Sequence, residues 1–215
     1  MNDYVLDASG FVPVTRLVPD AVQEIRYHTT FNFVGAQIDG YDEPLALMTY
    51  EAASALRRAS DAAVKRGYRL KIFDAYRPRR AVDHFLRWLD DPSDLRMKPY
   101  FYPNMDKSLL IERDFIARHS GHCRGSTLDV TLLEEASGRE CDMGGPFDLF
   151  DERSFSAYAG DLTKTQREHR ALLRGLMLDH GFRAIITEWW HYTLVDEPYP
   201  DTYFDFPIRA SAVSR

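Results

Sequence analysis

Between Met48 and Ala63, apolar side chains recur three and four residues apart at Met48, Ala52, Ala55, Leu56, Ala59, Ala62 and Ala63. That spacing predicts a helix from about Thr49 to Arg66, with Gly67 as its C-cap. Tyr68, Leu70 and Ile72 then alternate with Arg69 and Lys71, the period of a half-buried strand ending at Phe73. Pro78 suits the first turn of a second helix over Arg79–Leu89, with Val82, Phe85, Leu86 and Leu89 on its apolar side, and Asp90-Asp-Pro92 breaks it. A third helix runs from about Lys164 to His180, turns Leu172, Leu173, Leu176 and Met177 to the core and stops at Gly181. Strands are expected from near Asp129, in the Val- and Thr-containing Leu-Asp-Val-Thr-Leu-Leu133, and over Phe182–Ile186 and Trp190–Val195.

There is no internal repeat and no linker, and the Pro- and Asp-rich stretch from Asp91 to Asp106 reads as an ordered loop. Helices placed early and late around short, hairpin-linked strands predict an α+β fold: one domain over residues 1–215, with a small, mainly antiparallel sheet flanked by helices.

Composition narrows the function classes. The 215 residues are 45% hydrophobic, enough for a real core, and carry a formal charge of -6. Basic residues are scattered among acidic ones, so a nucleic-acid partner is not expected. The first ten residues include Asp3 and Asp7 and lack the basic start and apolar run of a secretory signal. No apolar run approaches the ~20 residues of a spanning helix. A cytoplasmic protein is expected, with Cys123 and Cys141 as free thiols.

Two segments carry candidate chemistry. In Ser120-Gly-His-Cys-Arg-Gly-Ser-Thr-Leu-Asp129, a histidine and an aspartate stand seven positions apart with Gly125 between them to let the chain turn. Glu188-Trp-Trp-His191 adds a second histidine and a carboxylate. Positions three apart face opposite ways in a regular strand, so a bulge or turn is expected inside this tetrapeptide. His122, Asp129 and His191 together would give one Zn²⁺ three ligands and leave the fourth position to water, the pattern of a catalytic rather than a structural site. Glu188 would then be the carboxylate free to take a proton.

Each residue also has a plainer reading. His28, His84, His119, His169 and His180 are read as structural, and isolated histidines such as His122 are more often hydrogen-bonded than ligating. Arg77, just after a strand in Asp74-Ala-Tyr-Arg-Pro78, either stabilises an oxyanion, worth about 3 kcal/mol, or ties a strand end to a loop through a salt bridge. Two His and one carboxylate also serve non-haem Fe(II) oxygenases, although Glu188 has no evident use there. An inert zinc-containing binding module is the third reading, and a structural zinc needs neither Glu188 nor Arg77.

With these residues in place, the sequence resembles the D-alanyl-D-alanine dipeptidase family, whose members cleave the dipeptide that vancomycin recognises in cell-wall precursors. The resemblance is carried by Ile25–Phe33, Asp39-Gly-Tyr41, Asp74–Pro78, Ser120–Asp129, Met143–Ser154, Glu188–Tyr192 and Asp196–Pro200, in family order over nearly the whole chain. It implies zinc held by His122, Asp129 and His191, a general base at Glu188 and transition-state stabilisation by Arg77. It also implies that Asp148 and Tyr27 hold the substrate's ammonium, that Ser120 lies near its other end, and that the fold is shared with D,D-carboxypeptidases and the hedgehog signalling domain. The implied reaction is hydrolysis of free D-Ala-D-Ala to two D-alanines. Thr127 and Cys123 depart from the family's usual alanine and serine, so the pocket is expected to differ around Thr127. Cys123 is read as neither nucleophile nor fourth ligand.

Overall fold

A computed structural model describes residues 4–213. Its centre is a five-stranded sheet in the order β2-β4-β5-β7-β6, built from β2 (Val22–Gln23), β4 (Tyr68–Asp74), β5 (Thr127–Glu134), β6 (Phe182–Ala184) and β7 (His191–Leu194). All its pairings are antiparallel except that of β2 with β4. A separate antiparallel pair, β1 (Phe11–Pro13) with β3 (Leu47–Thr49), lies outside this sheet. The architecture is the expected α+β arrangement with a mostly antiparallel sheet.

The strongly periodic helices form where the sequence places them. α2 (Tyr50–Val64) starts at Thr49, whose hydroxyl accepts the Ala52 N–H, and ends before Gly67 at φ +81°. α5 (Lys164–Leu178) opens with a capping box between Thr163 and Gln166 and ends before Gly181 at φ +93°. These two helices contact each other and the strands β4, β5 and β6. Leu128, Val130 and Leu132 of β5 share one apolar core with Ala52, Leu56 and Ala59 of α2 and Leu173 and Met177 of α5. Strand residues alternate between faces, so Asp129 points to the opposite side of the sheet.

α3 (Arg79–Leu89) has the expected bounds, but Pro78 is its N-cap, with ψ 147°, rather than part of its first turn. Its buried face is Ala81, Val82, Phe85 and Trp88, while Leu86 and Leu89 are only partly covered. Trp88 is drawn inward by Phe33 and Tyr102, with the Lys107 ammonium 3.9 Å from its ring centroid. Short helices α1 (Val14–Leu17), α4 (Lys98–Phe101) and α6 (Ala210–Val213) complete the set. α4 shows that the expected loop between Asp91 and Asp106 is ordered and contains a helical turn.

Candidate active site

One row of residues crosses the sheet. Asp129 on β5 is directly paired with His191 on β7 and, on its other side, with Asp74 on β4. An irregularity between Ile72 and Asp74 creates the second pairing: Ile72 opposes Val130, so unbroken register would have set Phe73 against Asp129. The bulge puts a carboxylate there instead. His122 arrives from a 3-10 turn, Gly121–Arg124, whose N-cap Ser120 accepts the His122 N–H at 3.3 Å. Gly125 ends this turn at φ +80°, and a Cβ there would lie 2.1 Å from the Phe11 ring. Only glycine fits both the dihedral and the space.

His122 Nε2 lies 3.4 Å from Asp129 Oδ2 and 3.3 Å from His191 Nδ1, and His191 Nδ1 lies 3.2 Å from Asp129 Oδ1. Ligand atoms about 2.1 Å from a tetrahedral zinc stand about 3.4 Å apart, and here each histidine nitrogen meets a different Asp129 oxygen at about that distance, with one ligand atom from each of the three residues within 4.8 Å of the others. Asp129 Oδ1 is buried and has no hydrogen-bond partner among the described residues. A buried carboxylate oxygen left in that state is costly, and a cation would satisfy it. The three side chains form a group able to hold a metal ion.

Glu188 Oε2 stands 3.3 Å from His191 Nδ1, and Glu188 itself is 9% exposed. The expected break is present: Trp189 and Trp190 form a turn between Glu188 and the start of β7, which sets both side chains toward one cleft. Electrostatics also favour a cation. Burial alone would raise Asp129, yet the charges of the adjacent His122 and His191 hold it well below the carboxylate range. Burial would lower His191, but Asp129 and Glu188 push it up to about 9.

The cleft has a volume of about 180 Å³, and His122, Asp129 and His191 form part of its wall. Phe33, Phe85, Phe115, Ile116 and Phe150 supply apolar lining. Asp148, a non-glycine residue at φ +61°, accepts a 2.9 Å hydrogen bond from Tyr27 Oη. Burial first, and then the Asp129 charge, push the Asp148 carboxyl well above its ordinary range, against the Tyr27 hydrogen bond and the Arg77 charge. Arg77 lines the same cleft with its guanidinium 5.0 Å from the Tyr27 ring centroid and 5.2 Å from that of Phe85.

A model of the D-Ala-D-Ala dipeptidase family matches residues 7–209. The chain belongs to this family. It is therefore a peptidase, and the oxygenase and non-catalytic readings give way to it. The chain is 40% identical over 200 residues to a D-alanyl-D-alanine dipeptidase of Enterococcus faecium, covering 93% of this chain and 98% of that one. It is 42% identical over 198 residues to the D-alanyl-D-alanine dipeptidase of Streptomyces coelicolor, covering 92% and 98% of the two chains. The Escherichia coli protein of that name is 31% identical over 188 residues, covering 87% and 86%.

Every residue singled out for the site lines this family member's cleft: Tyr27, Arg77, Ser120, His122, Asp129, Asp148, Glu188 and His191. The salt-bridge reading of Arg77 describes its contacts, since Nε and Nη2 bind Asp74 Oδ2 at 2.9 and 2.8 Å, and the residue also lines the cleft. Thr127 is a correction. It is fully buried on β5 with its hydroxyl 2.9 Å from that of Thr193, so it braces two strands and does not line the cleft. Cys123 is fully buried and likewise does not line it. Asp74 is the residue that sequence reasoning missed. It is fully buried, accepts from Tyr41 Oη at 2.7 Å and from Arg77, and stands 3.5 Å from His122 Nδ1. Its signal was the carboxylate three residues before Arg77 at a strand end.

No helix among the described residues is long and apolar enough to cross a membrane. His28, His84, His169 and His180 hydrogen-bond to backbone, and His119 packs on Tyr203; none lines the cleft.

Proposed function

We propose that the chain is one zinc-dependent domain that hydrolyses free D-Ala-D-Ala to two D-alanines, with His122, Asp129 and His191 holding one Zn²⁺ and Glu188 acting as general base. The observation that carries this reading is the cluster of His122 Nε2, the two Asp129 carboxylate oxygens and His191 Nδ1, in contact at 3.2–3.4 Å, with Glu188 beside it. The substrate is the one that the relatives' names give. Zinc in such a site lowers the pKa of a bound water to about 7 and polarises a carbonyl.

The chain's own groups do the rest. Glu188 Oε2 takes a proton from the attacking water and returns it to the leaving amine. Arg77 holds Asp74 through Nε and Nη2, with Nη2 also 3.7 Å from Asp129 Oδ2, and its five-donor guanidinium, lining the cleft, meets the oxyanion that develops on the scissile carbonyl. Asp148, with Tyr27, takes the substrate's ammonium. That charge compensates the buried carboxylate and selects a free N-terminus over an internal peptide. Ser120 lies near the other end of the dipeptide. Free, buried Cys123 and Cys141 fit a cytoplasmic location.

The test is D-alanine release from D-Ala-D-Ala by the purified, zinc-loaded chain, with Glu188→Ala beside it. Turnover by the first and almost none by the second, with zinc retained in both, is expected. An active Glu188→Ala overturns the role of Glu188, and a folded, zinc-bound wild type without release overturns the substrate.

A further inference from the structure

Glu188 sits where the chain has left the sheet, between Ala184 at the end of β6 and His191 at the start of β7. Its backbone is held instead by a neighbouring segment, Ser154-Phe155-Ser156. Ser156 N–H donates to Ile186 O at 2.8 Å, and Ser156 Oγ reaches Ile185 O at 2.6 Å and Glu188 O at 3.2 Å. Trp189 N–H donates to Ser154 O at 2.9 Å. Two residues of the segment therefore grip both sides of the turn that presents the base.

The segment is fixed from two further directions. Arg170 on α5 donates to the carbonyls of Arg153 at 2.8 Å and Phe155 at 3.1 Å, and its Nε donates to Met143 O at 2.6 Å. Ser154 Oγ donates to Leu149 O at 2.5 Å, the residue after Asp148. One strap thus joins the loop bearing Asp148 to the turn bearing Glu188, and α5 backs it.

We propose that Ser156 is a positioning residue for Glu188, acting through the hydroxyl that its side chain shares between the carbonyls of Ile185 and Glu188. Ser156 does not line the cleft and touches no reacting atom. Its removal leaves two carbonyls on a half-buried turn unheld, and the carboxylate loses its fixed place relative to the His122–Asp129–His191 group. A misplacement of about 1 Å in a catalytic group can cost about 10²-fold in rate.

The inference rests on the reading of Glu188 as the base. The experiment compares zinc-loaded wild type with Ser156→Ala, Ser156→Cys and Ser156→Thr, each alone and with Glu188→Ala, on D-Ala-D-Ala. Ser156→Ala is expected to lower kcat about ten- to a hundred-fold, with KM and zinc content within about two-fold of wild type. Ser156→Cys, which keeps the volume but donates weakly, should lose a similar factor, and Ser156→Thr should regain most of the rate. On the residual activity of Glu188→Ala, Ser156→Ala should cost nothing further, because two residues acting as one unit are not additive. If Ser156→Ala does not fold, Ser156→Cys decides. A wild-type kcat in either variant, a change confined to KM, or a full further loss on top of Glu188→Ala overturns the proposal. An active Glu188→Ala overturns instead the reading of the base.

Discussion

His122 donates its Nδ1–H to the carbonyl of Ala75 at 2.7 Å, and this bond decides which ring nitrogen faces the cleft. A carbonyl only accepts, so Nδ1 carries the proton and the Nε2 lone pair is left toward Asp129 and His191. Ala75 directly follows the residue that the β4 bulge sets against Asp129. The backbone that places Asp74 in the row therefore also orients the histidine entering from the 3-10 turn.

The first prediction concerns the metal. Wild type should carry about one zinc per chain, and His122→Ala, Asp129→Ala or His191→Ala should each leave under about a tenth of that, since two ligands do not hold a catalytic zinc. Metal analysis after dialysis reads this directly. Removing zinc from wild type with a chelator should abolish turnover, and adding it back should restore it. A ligand variant with full zinc would remove that residue from the set.

Arg77→Lys should not be conservative. The guanidinium makes two bonds to Asp74 while facing the cleft, and an ammonium cannot reproduce that fork. Turnover should fall about 10²–10³-fold with zinc still bound, the loss typical of one missing oxyanion donor. Steady-state kinetics and metal content on the same sample check it. A variant within a few-fold of wild type would leave Arg77 a purely structural salt bridge.

What the sequence showed and what it hid have physical reasons. α2, α3 and α5 were legible because each repeats an apolar stripe over eleven residues or more and ends at a glycine or an Asp-Pro break. β1, β2 and β3 were not, since two or three residues carry no measurable period and, unlike β6 after Gly181, none follows a helix that a glycine ends. The buried face of α3 was misjudged at Leu86 because Trp88, beside Phe33 and Lys107, makes the deeper contact, and periodicity does not reveal long-range partners. His122, Asp129 and His191, which the fold brings together as a potential metal site, were singled out by residue type and spacing together with the family resemblance. Asp74 offered only its position three residues before Arg77, because its pairing with Asp129 depends on a bulge that shifts register by one residue, and no local feature of Ile72-Phe-Asp74 announces that bulge.

Gly125→Ala should destabilise the fold more than Gly67→Ala, although both residues have nearly the same positive φ, +80° and +81°. A Cβ at Gly67 meets nothing within 4 Å, whereas one at Gly125 meets Phe11 at 2.1 and 2.3 Å. Gly67→Ala should cost only the left-handed backbone penalty of about 1–2 kcal/mol. Gly125→Ala adds a ring displacement beneath the His122 turn, typically another 1–3 kcal/mol for overpacking. Thermal unfolding should rank them, at about 2–4 °C per kcal/mol for a chain of this size. Equal shifts would show that Phe11 yields freely.

Asp148→Asn should raise KM for D-Ala-D-Ala much more than it lowers zinc content, because an amide keeps the shape beside Tyr27 but offers no charge to an ammonium. Loss of one charge-assisted bond in a buried site corresponds to about 10–100-fold in binding. The same variant should discriminate less against N-acetylated dipeptide, which wild type should cleave poorly. Kinetics on the free and acetylated substrates separate this from general damage, which would lower both rates together.

The two cysteines should be inert in the folded protein. Cys123 is fully buried on the 3-10 turn, and burial pushes its thiol up to about 12. Burial pushes Cys141 up to about 11, with Glu134 and Glu140 adding to it. Reaction requires the thiolate, and at pH 8 these values leave about one thiol in 10⁴ and one in 10³ ionised, against about a quarter for an unfolded cysteine near 8.5. An aromatic disulfide reagent at pH 8 should therefore find no fast thiol in native protein and two in denaturant. A slow native reaction should proceed at the rate of local opening, with Cys123 reporting on the turn that carries His122. Added zinc should slow that reaction at Cys123 more than at Cys141, because only the first lies beside a ligand whose turn must open. Rapid labelling of Cys123 in zinc-loaded protein would contradict both the burial of this turn and its coupling to the metal.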